Sequence, residues 1–191
     1  MKIFYCYLTF IFFLLFGCIK FVKIENPEEK FFYLLKKNHK GKIEFINSKG
    51  DLVLENDFYY KGKFKFESDS LNTSLILYSP FGSDKIEGEL KDNILLFIKI
   101  FFSPLDYISN IKLIKAFQSK KNYIFKLEGG IEIVFDENEK IKEIKLPELK
   151  IIIVWEKDLP YNIMMVTQNA NINIKIDKMD IGFKNGKNSD F

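Results

Sequence analysis

Few residues in this sequence could carry out catalysis or bind a metal ion. The 191 residues include one histidine, His39, and two cysteines, Cys6 and Cys18. His39 lies among lysines, so we interpret it as a solvated residue at a helix end rather than as a catalytic base. The acidic run 136–139 lacks the spacing and the glycine of a calcium-binding loop and is typical of a hairpin turn. We therefore predict a protein that is not an enzyme, with no catalytic residues, no metal site and no cofactor.

The basic residues also argue against nucleic acid as a partner. All 29 of them are lysines, and 26 acidic residues leave a formal net charge of +3. Arginine, which binds phosphate and guanine through paired hydrogen bonds, is absent. The sequence also has no glycine-rich phosphate loop and no G-x-S-x-G nucleophile motif. The lysines alternate with apolar residues, as on the solvated face of a sheet, where they can attract anionic lipid headgroups.

Cys18 is the most distinctive residue, because it ends an N-terminal segment typical of a secretory signal peptide. Lys2 precedes the apolar run 3–16, which is too short for the roughly 20 residues that span a bilayer. The segment ends in the sequence Leu-Phe-Gly-Cys at 15–18, which resembles the lipobox of bacterial lipoproteins, with Leu15 and Gly17 at the expected positions. This resemblance implies cleavage before Cys18 and attachment of lipid to it. The alternatives are an uncleaved membrane anchor and a buried hydrophobic segment.

The domain boundaries follow from this interpretation. We predict a signal peptide at 1–17, a lipidated tether at 18–26, one folded domain at 27–183 and a flexible tail at 184–191, since this length suits a single domain. In enteric-type sorting an aspartate after the lipidated cysteine retains a lipoprotein at the inner membrane. Residue 19 is isoleucine. The resemblance therefore implies a lipid anchor at the periplasmic face of the outer membrane.

The first element of the domain is predicted to be a helix. Asn26 suits the N-cap, Pro27 suits the first helical position, and Phe31, Leu34 and Leu35 form an apolar stripe at helical spacing. A second helix is predicted to begin around residues 103–104 and to continue to residue 114.

Beyond residue 41 the apolar period changes to two, which predicts β-strands separated by turns. One turn is predicted at 47–51, and the apolar run 93–102 is expected to be covered on both faces. The fold class is therefore mainly β (α+β): a curved antiparallel half-barrel sheet with an N-terminal helix and a central helix over its concave face. Strands are predicted at 58–67, 71–78, 86–90, 122–127, 131–135, 141–146, 149–155, 162–167 and 171–177.

The element order resembles the LolA/LolB-like lipoprotein-localisation family, and is closest to its outer-membrane receptors, the LolB proteins. Two passages carry the resemblance: LYSPFGS at 77–83, and LPYNI at 159–163 followed by 172–181. It implies a protruding loop, Pro80, Phe81 and Gly82, that contacts the membrane. It also implies acylated lipoproteins and a periplasmic carrier of LolA type as partners, and a monomeric protein. The absence of arginine argues against the lid lock of the carriers.

The sequence has many large apolar residues for one sheet with two helices, and this excess has two interpretations. Its members could line a cavity for acyl chains, in a lipoprotein that accepts other lipoproteins and inserts them into the outer membrane. They could instead form a filled core, in a structural or assembly lipoprotein with a protein partner. The candidate cavity residues are Phe64, Phe66, Phe97, Phe125, Phe135, Trp155 and Met164.

Overall fold

The computed structural model describes residues 22–56, 59–69, 73–79, 85–89, 100–119, 121–184 and 189–190. Helix α1 spans Pro27–Asn38, helix α2 spans Pro104–Ile108, and residues 100–102 are also helical. The thirteen strands of the described residues form one sheet. They are β1 (Val22–Lys23), β2 (Lys42–Glu55), β3 (Tyr59–Ser68), β4 (Thr73–Tyr78), β5 (Lys85–Glu89), β6 (Leu113–Gln118), β7 (Tyr123–Leu127), β8 (Glu132–Phe135), β9 (Ile141–Lys145), β10 (Lys150–Glu156), β11 (Leu159–Val166), β12 (Asn171–Lys184) and β13 (Ser189–Asp190).

Every neighbouring pair of strands is antiparallel. The order across the sheet is β1-β6-β7-β8-β9-β10-β11-β12-β2-β3-β4-β5, and β13 pairs with β12. Within the described residues the edge strands β1 and β5 do not pair with each other, so the sheet is open. The predicted fold class, a mainly β protein built on an open antiparallel sheet with an N-terminal helix, is confirmed.

Strand β3 shows why the sheet has one apolar face. Lys61, Lys63 and Lys65 are exposed, whereas the intervening Phe64 and Phe66 are buried. Successive side chains of a strand point to opposite faces, so this alternation separates a buried face from a solvated one. We call the face that carries Phe64 and Phe66 the inner face and the opposite one the outer face.

The inner face is covered by α1 and by the helical residues 100–102. The ring centroid of Phe31, on α1, lies 4.8 Å from that of Phe125 on β7. The Phe102 ring lies 6.2 Å from that of Trp155 on β10 and 6.1 Å from that of Phe183 on β12. These aromatic contacts hold the helices against the sheet and form one continuous core with the buried aliphatic side chains.

Helix α1 forms where the apolar stripe predicts it and begins at the predicted residue. Phe31, Leu34 and Leu35 are buried, and Pro27 is the first helical residue. Asn26 is in the left-handed conformation, with φ of 49°, and its side chain makes no capping hydrogen bond. The predicted N-cap position is therefore confirmed, but its side chain does not cap the helix, and packing of the apolar stripe supplies stability instead.

The turn predicted at 47–51 is wrong, because β2 continues through these residues. Gly50 pairs with Phe64 on β3 and with Ile176 on β12. A β-carbon at Gly50 would lie 1.9 Å from the Lys175 carbonyl oxygen. The glycine thus permits a close approach of β2 and β12 rather than a reversal of the chain.

The second helix is shorter than predicted. It ends at Ile108, and Ile114 lies on β6 with 57% of its surface exposed. Strand pairing of β6 with β1 and β7 replaces the last predicted helical turns. Ser103 lies at the N-cap position of this helix, but its hydroxyl donates to the Gly41 carbonyl oxygen instead of capping the helix.

Residues 22–24, within the predicted tether, are part of the fold. Val22 and Lys23 pair with β6, and Ile24 is buried in the core. Residues 189–190, in the predicted flexible tail, pair with β12.

Candidate functional site

The inner face encloses an apolar cavity of about 160 Å³. Strands β2, β3, β4, β11 and β12 form its wall, and Phe101 lies over it. Among the described lining residues Ser48 is the one with a polar side chain. The lining residues are Ser48, Leu52, Phe64, Phe66, Leu75, Phe101, Ile163, Met165, Ile172, Ile174, Ile176 and Met179.

Strand register brings these residues together. Ser48 on β2 lies between Phe66 on β3 and Met179 on β12 in one row of the sheet. In the next row on the same face, Gly50 lies between Phe64 and Ile176. The absence of a side chain at Gly50 leaves space in this row, so the glycine that joins the strands closely also contributes to the cavity.

Burial changes along the cavity. The row of Ser48, Phe66 and Met179 is buried, whereas Ile172 and Ile174 on β12 are half-buried. The cavity is therefore closed around Ser48 and more accessible towards Ile172.

The lining determines what the cavity can bind. Transfer of hydrocarbon surface from water to such a lining lowers the free energy by about 25 cal/mol per Å². A cavity of about 160 Å³ is near the volume that accepts one benzene ring and below the roughly 300 Å³ of a typical ligand pocket. This volume has room for a short stretch of hydrocarbon. Met165 and Met179 are unbranched and flexible, so their movement can enlarge it.

Several predicted site residues fall outside the described part of the chain. These residues are Phe97, Cys18 and the loop residues Pro80, Phe81 and Gly82. Their predicted roles stay predictions.

Of the other predicted cavity residues, Phe64 and Phe66 line the cavity. Phe125 and Phe135 are fully buried in a cluster with Phe31, with ring centroids 5.8 Å apart. They belong to the packed core under α1 rather than to the cavity lining.

Trp155 and Met164 lie elsewhere. Trp155 is half-buried against Phe102, and its indole N–H donates to the Ile141 carbonyl oxygen at 2.6 Å. Met164 is 37% exposed on the outer face, so its prediction as a cavity residue is wrong. Its neighbours Ile163 and Met165 line the cavity instead, because adjacent residues of a strand face opposite ways.

Sequence reasoning missed Ser48 and the aliphatic residues of β11 and β12. The alternation of Ile172, Ile174 and Ile176 with polar residues did indicate a half-buried strand. It could not indicate what the apolar side faces. Ser48 fell within the wrongly predicted turn.

A cluster of charges ties α1 to the turn between β8 and β9. The Glu139 carboxylate accepts from the Lys30 and Lys37 ammonium groups at 2.6 and 2.5 Å. The hydrogen bonds from Lys30 and then Lys37 hold the pKa of the Glu139 carboxyl below its usual range. Its backbone oxygen also accepts from the Asn38 amide at 2.8 Å.

A shallow groove of about 680 Å³ lies across the turns that follow β6, β8 and β10. Trp155 and the exposed Val154 supply its apolar surface, and Lys140 lies 5.6 Å from the Trp155 ring centroid. Lys40 lowers the pKa of the nearby Asp158 carboxyl, with Lys140 adding to the effect. The charged residues that line the groove are Lys121, Lys140, Lys142, Lys157, Asp136 and Glu137.

The described residues contain no group of three or more His, Cys, Asp or Glu side chains that could hold a metal ion. None of their helices is long and apolar enough to cross a membrane.

No protein-family model and no curated protein matches the sequence. Among solved structures, a LolA superfamily protein from Nitrosomonas europaea is similar to the chain, with a TM-score of 0.46 and 8% sequence identity. The similarity covers 87% of this chain and 96% of that chain.

Proposed function

We propose that the protein is an outer-membrane lipoprotein of the LolB type. It binds acyl chains of other lipoproteins in the inner-face cavity, accepts them from a periplasmic carrier and inserts them into the outer membrane. The observation that carries this proposal is the cavity itself, whose described lining contains one polar side chain. Such a lining favours hydrocarbon over polar substrates.

Transfer needs no nucleotide in this proposal. An acyl chain moves from carrier to receptor to bilayer if its affinity increases at each step. The limited volume of the cavity suits a transient receptor, since a chain held over only part of its length is released more readily.

The tether places the sheet close to the bilayer. If Cys18 is lipidated, residues 19–21 span at most about 14 Å before the chain enters β1. Val22 pairs with Gln118, just before the turn that carries Lys121. The lysine-rich groove then lies on the anchored side, where each lysine near an anionic surface contributes about 1 kcal/mol.

The loop of Pro80, Phe81 and Gly82 is proposed to help release the cargo. An aromatic side chain at a loop tip can enter the headgroup region of a bilayer. Substitution of Phe81 with Ala is expected to slow transfer of an acylated protein into vesicles and to leave acyl binding in the cavity unchanged.

Anchoring is tested separately from binding. Cys18→Ser should abolish incorporation of labelled palmitate. The variant should be recovered either as a soluble protein or with its signal peptide still attached. Retention of the label in the variant would contradict lipidation at Cys18.

Acyl binding is tested with two substitutions to tryptophan. Ile174→Trp fills the accessible part of the cavity, whereas Met164→Trp adds the same side chain to the outer face. We expect the first variant to lose binding of a fluorescent fatty acid and the second to retain it. Equal binding by both variants would contradict the proposed site.

One observation favours the second candidate function, a structural or assembly lipoprotein with a protein partner. Phe125 and Phe135, two of the predicted cavity residues, are fully buried in the packed core. If the wild-type protein binds no fatty acid while a protein partner co-purifies with it, this second function is favoured.

A further inference from the structure

Ser48 is the polar exception in the cavity. Ser48 is 6% exposed, and its hydroxyl oxygen is buried with no hydrogen-bond partner among the described residues. The cross-strand neighbours on either side are Phe66 and Met179, which offer no strong acceptor. A buried hydroxyl without a partner is rare and destabilising, and such a group calls for an explanation.

Among the buried serines of the described residues, this lack of a partner is specific to Ser48. Of the three buried serines in the described residues, Ser68 has its hydroxyl 3.1 Å from that of Thr73. The Ser103 hydroxyl donates to the Gly41 carbonyl oxygen. The sheet and its turns therefore satisfy the two serines outside the cavity and leave the one that lines it unsatisfied.

Water is a poor partner for this hydroxyl. A buried water is typically held by two to four polar groups. The described lining offers one polar side chain, and most of its backbone groups belong to the strand ladders. A partner for Ser48 must therefore bring its own apolar body into the cavity together with a hydrogen-bonding atom.

We propose that Ser48 binds the carbonyl oxygen of an acyl ligand. The hydroxyl donates to the carbonyl, and the hydrocarbon chain lies along β2 and β12 towards Leu52 and Ile174. Between Ser48 and Leu52 the strand covers about 13 Å of apolar wall. Because the chain runs towards the accessible end of the cavity, the group attached to the carbonyl lies at the closed end. The flexible Met179 side chain borders both this cavity and a neighbouring pocket, and its movement makes room for that group. This inference rests on the proposed function and specifies its ligand: a chain with a carbonyl, free or ester-linked, rather than any hydrocarbon.

The test compares ligands that differ only at this group. Dodecane, methyl dodecanoate and dodecanoic acid each compete with diphenylhexatriene, a fluorescent hydrocarbon, for binding to the full-length protein. The loss of diphenylhexatriene fluorescence measures the affinity of each competitor. A fluorinated surfactant keeps the protein in solution. Its fluorinated tails mix poorly with hydrocarbon, so they do not compete with the ligands. Ser48→Ala removes the hydroxyl, Ser48→Cys keeps its shape with a weaker donor, and Ser68→Ala is the matched control outside the cavity.

Ser48→Ala should weaken binding of the carbonyl ligands about three- to tenfold, as expected for one net hydrogen bond. Dodecane should bind to Ser48→Ala and to the wild type with equal affinity. The affinity of Ser48→Cys for the carbonyl ligands should be intermediate, and Ser68→Ala should bind all three ligands like the wild type. A loss confined to the acid identifies a free fatty acid as the occupant, and one confined to the ester identifies an esterified chain.

Two results would overturn the inference in distinguishable ways. If Ser48→Ala binds all three ligands as the wild type does, or loses all equally, Ser48 does not contact a carbonyl, although the cavity still binds hydrocarbon. If the wild type binds neither the probe nor any ligand, the proposed function fails together with the inference.

Discussion

The contact between α1 and the β8–β9 turn depends on one carboxylate, which makes Glu139→Gln an informative substitution. Glutamine keeps the size of the side chain and removes its charge. It leaves the backbone oxygen of residue 139, which accepts from the Asn38 amide, in place. The backbone at this residue has φ of 65°, and glutamine adopts that conformation at a similar cost. The change therefore isolates the two ion pairs with Lys30 and Lys37.

The magnitude follows from how far these lysines are buried. The side chains of Lys30 and Lys37 are 25% and 48% exposed, and that of Glu139 is 19% exposed. An exposed pair contributes about 0.2–1 kcal/mol, and a partly buried charged hydrogen bond contributes somewhat more. We expect Glu139→Gln to lower the free energy of unfolding by roughly 1–2 kcal/mol at pH 7. For a chain of this size the melting temperature should fall by about 2–8 °C.

Urea denaturation at low and high salt measures the effect, with Glu137→Gln in the same turn as the control. The difference between the Glu139 variant and the wild type should shrink in 1 M salt, because salt screens partly exposed charges. The control should stay within about 0.5 kcal/mol of the wild type. A Glu139 variant as stable as the wild type at low salt would refute the conclusion that these ion pairs hold α1 to the sheet.

Three further predictions concern pH, the close approach of β2 and β12, and the core. The pKa of Glu139 lies below its ordinary 4.5 in the folded protein, so its stabilising contribution is present above pH 4.5 and is lost as the pH falls through the folded value. The acid-side slope of stability should therefore be smaller in Glu139→Gln than in the wild type, and equal slopes would contradict this assignment. Gly50→Ala should destabilise the protein by about 3 kcal/mol or more, measured by urea unfolding, because its β-carbon meets the Lys175 carbonyl oxygen; a loss below about 1 kcal/mol would show that the strands separate easily. Phe125→Ala should cost about 3–5 kcal/mol in the same assay, since its ring is fully buried between Phe31 and Phe135; an unchanged stability would place this cluster outside the core.

The sequence predicts the α1 helix and most strands because their apolar residues repeat at clear periods. Phe31, Leu34 and Leu35 mark one helical face, and Ile172, Ile174 and Ile176 mark one strand face. These patterns depend on local spacing alone, which the sequence states directly.

The failures occur where distant partners decide the structure. Gly50 suggests a turn by its type, but its role is set by the carbonyl oxygen of Lys175, far away in the chain. Ile114 continues a helical stripe, but pairing with neighbouring strands places it on β6. Local propensity is a weak prior that such tertiary contacts override.

The candidate site was predictable in kind but not in its members. In the apolar run around Met164 and Met165 the sequence does not state which residue faces inwards, because a shift of one residue exchanges the faces. Phe64 and Phe66, which alternate with lysines, lacked this ambiguity and line the cavity. Ser48 could be recognised only after the register placed it between Phe66 and Met179.

The most direct test of acyl binding is native mass spectrometry of the full-length gene product, purified from the membranes of cells that also express other lipoproteins. We predict an additional mass that corresponds to a bound acyl chain or acylated protein. It should be lost in Ile174→Trp and retained in Met164→Trp. A mass that corresponds to the protein and its own anchor alone, unchanged when acylated peptide is added, would contradict the proposed function.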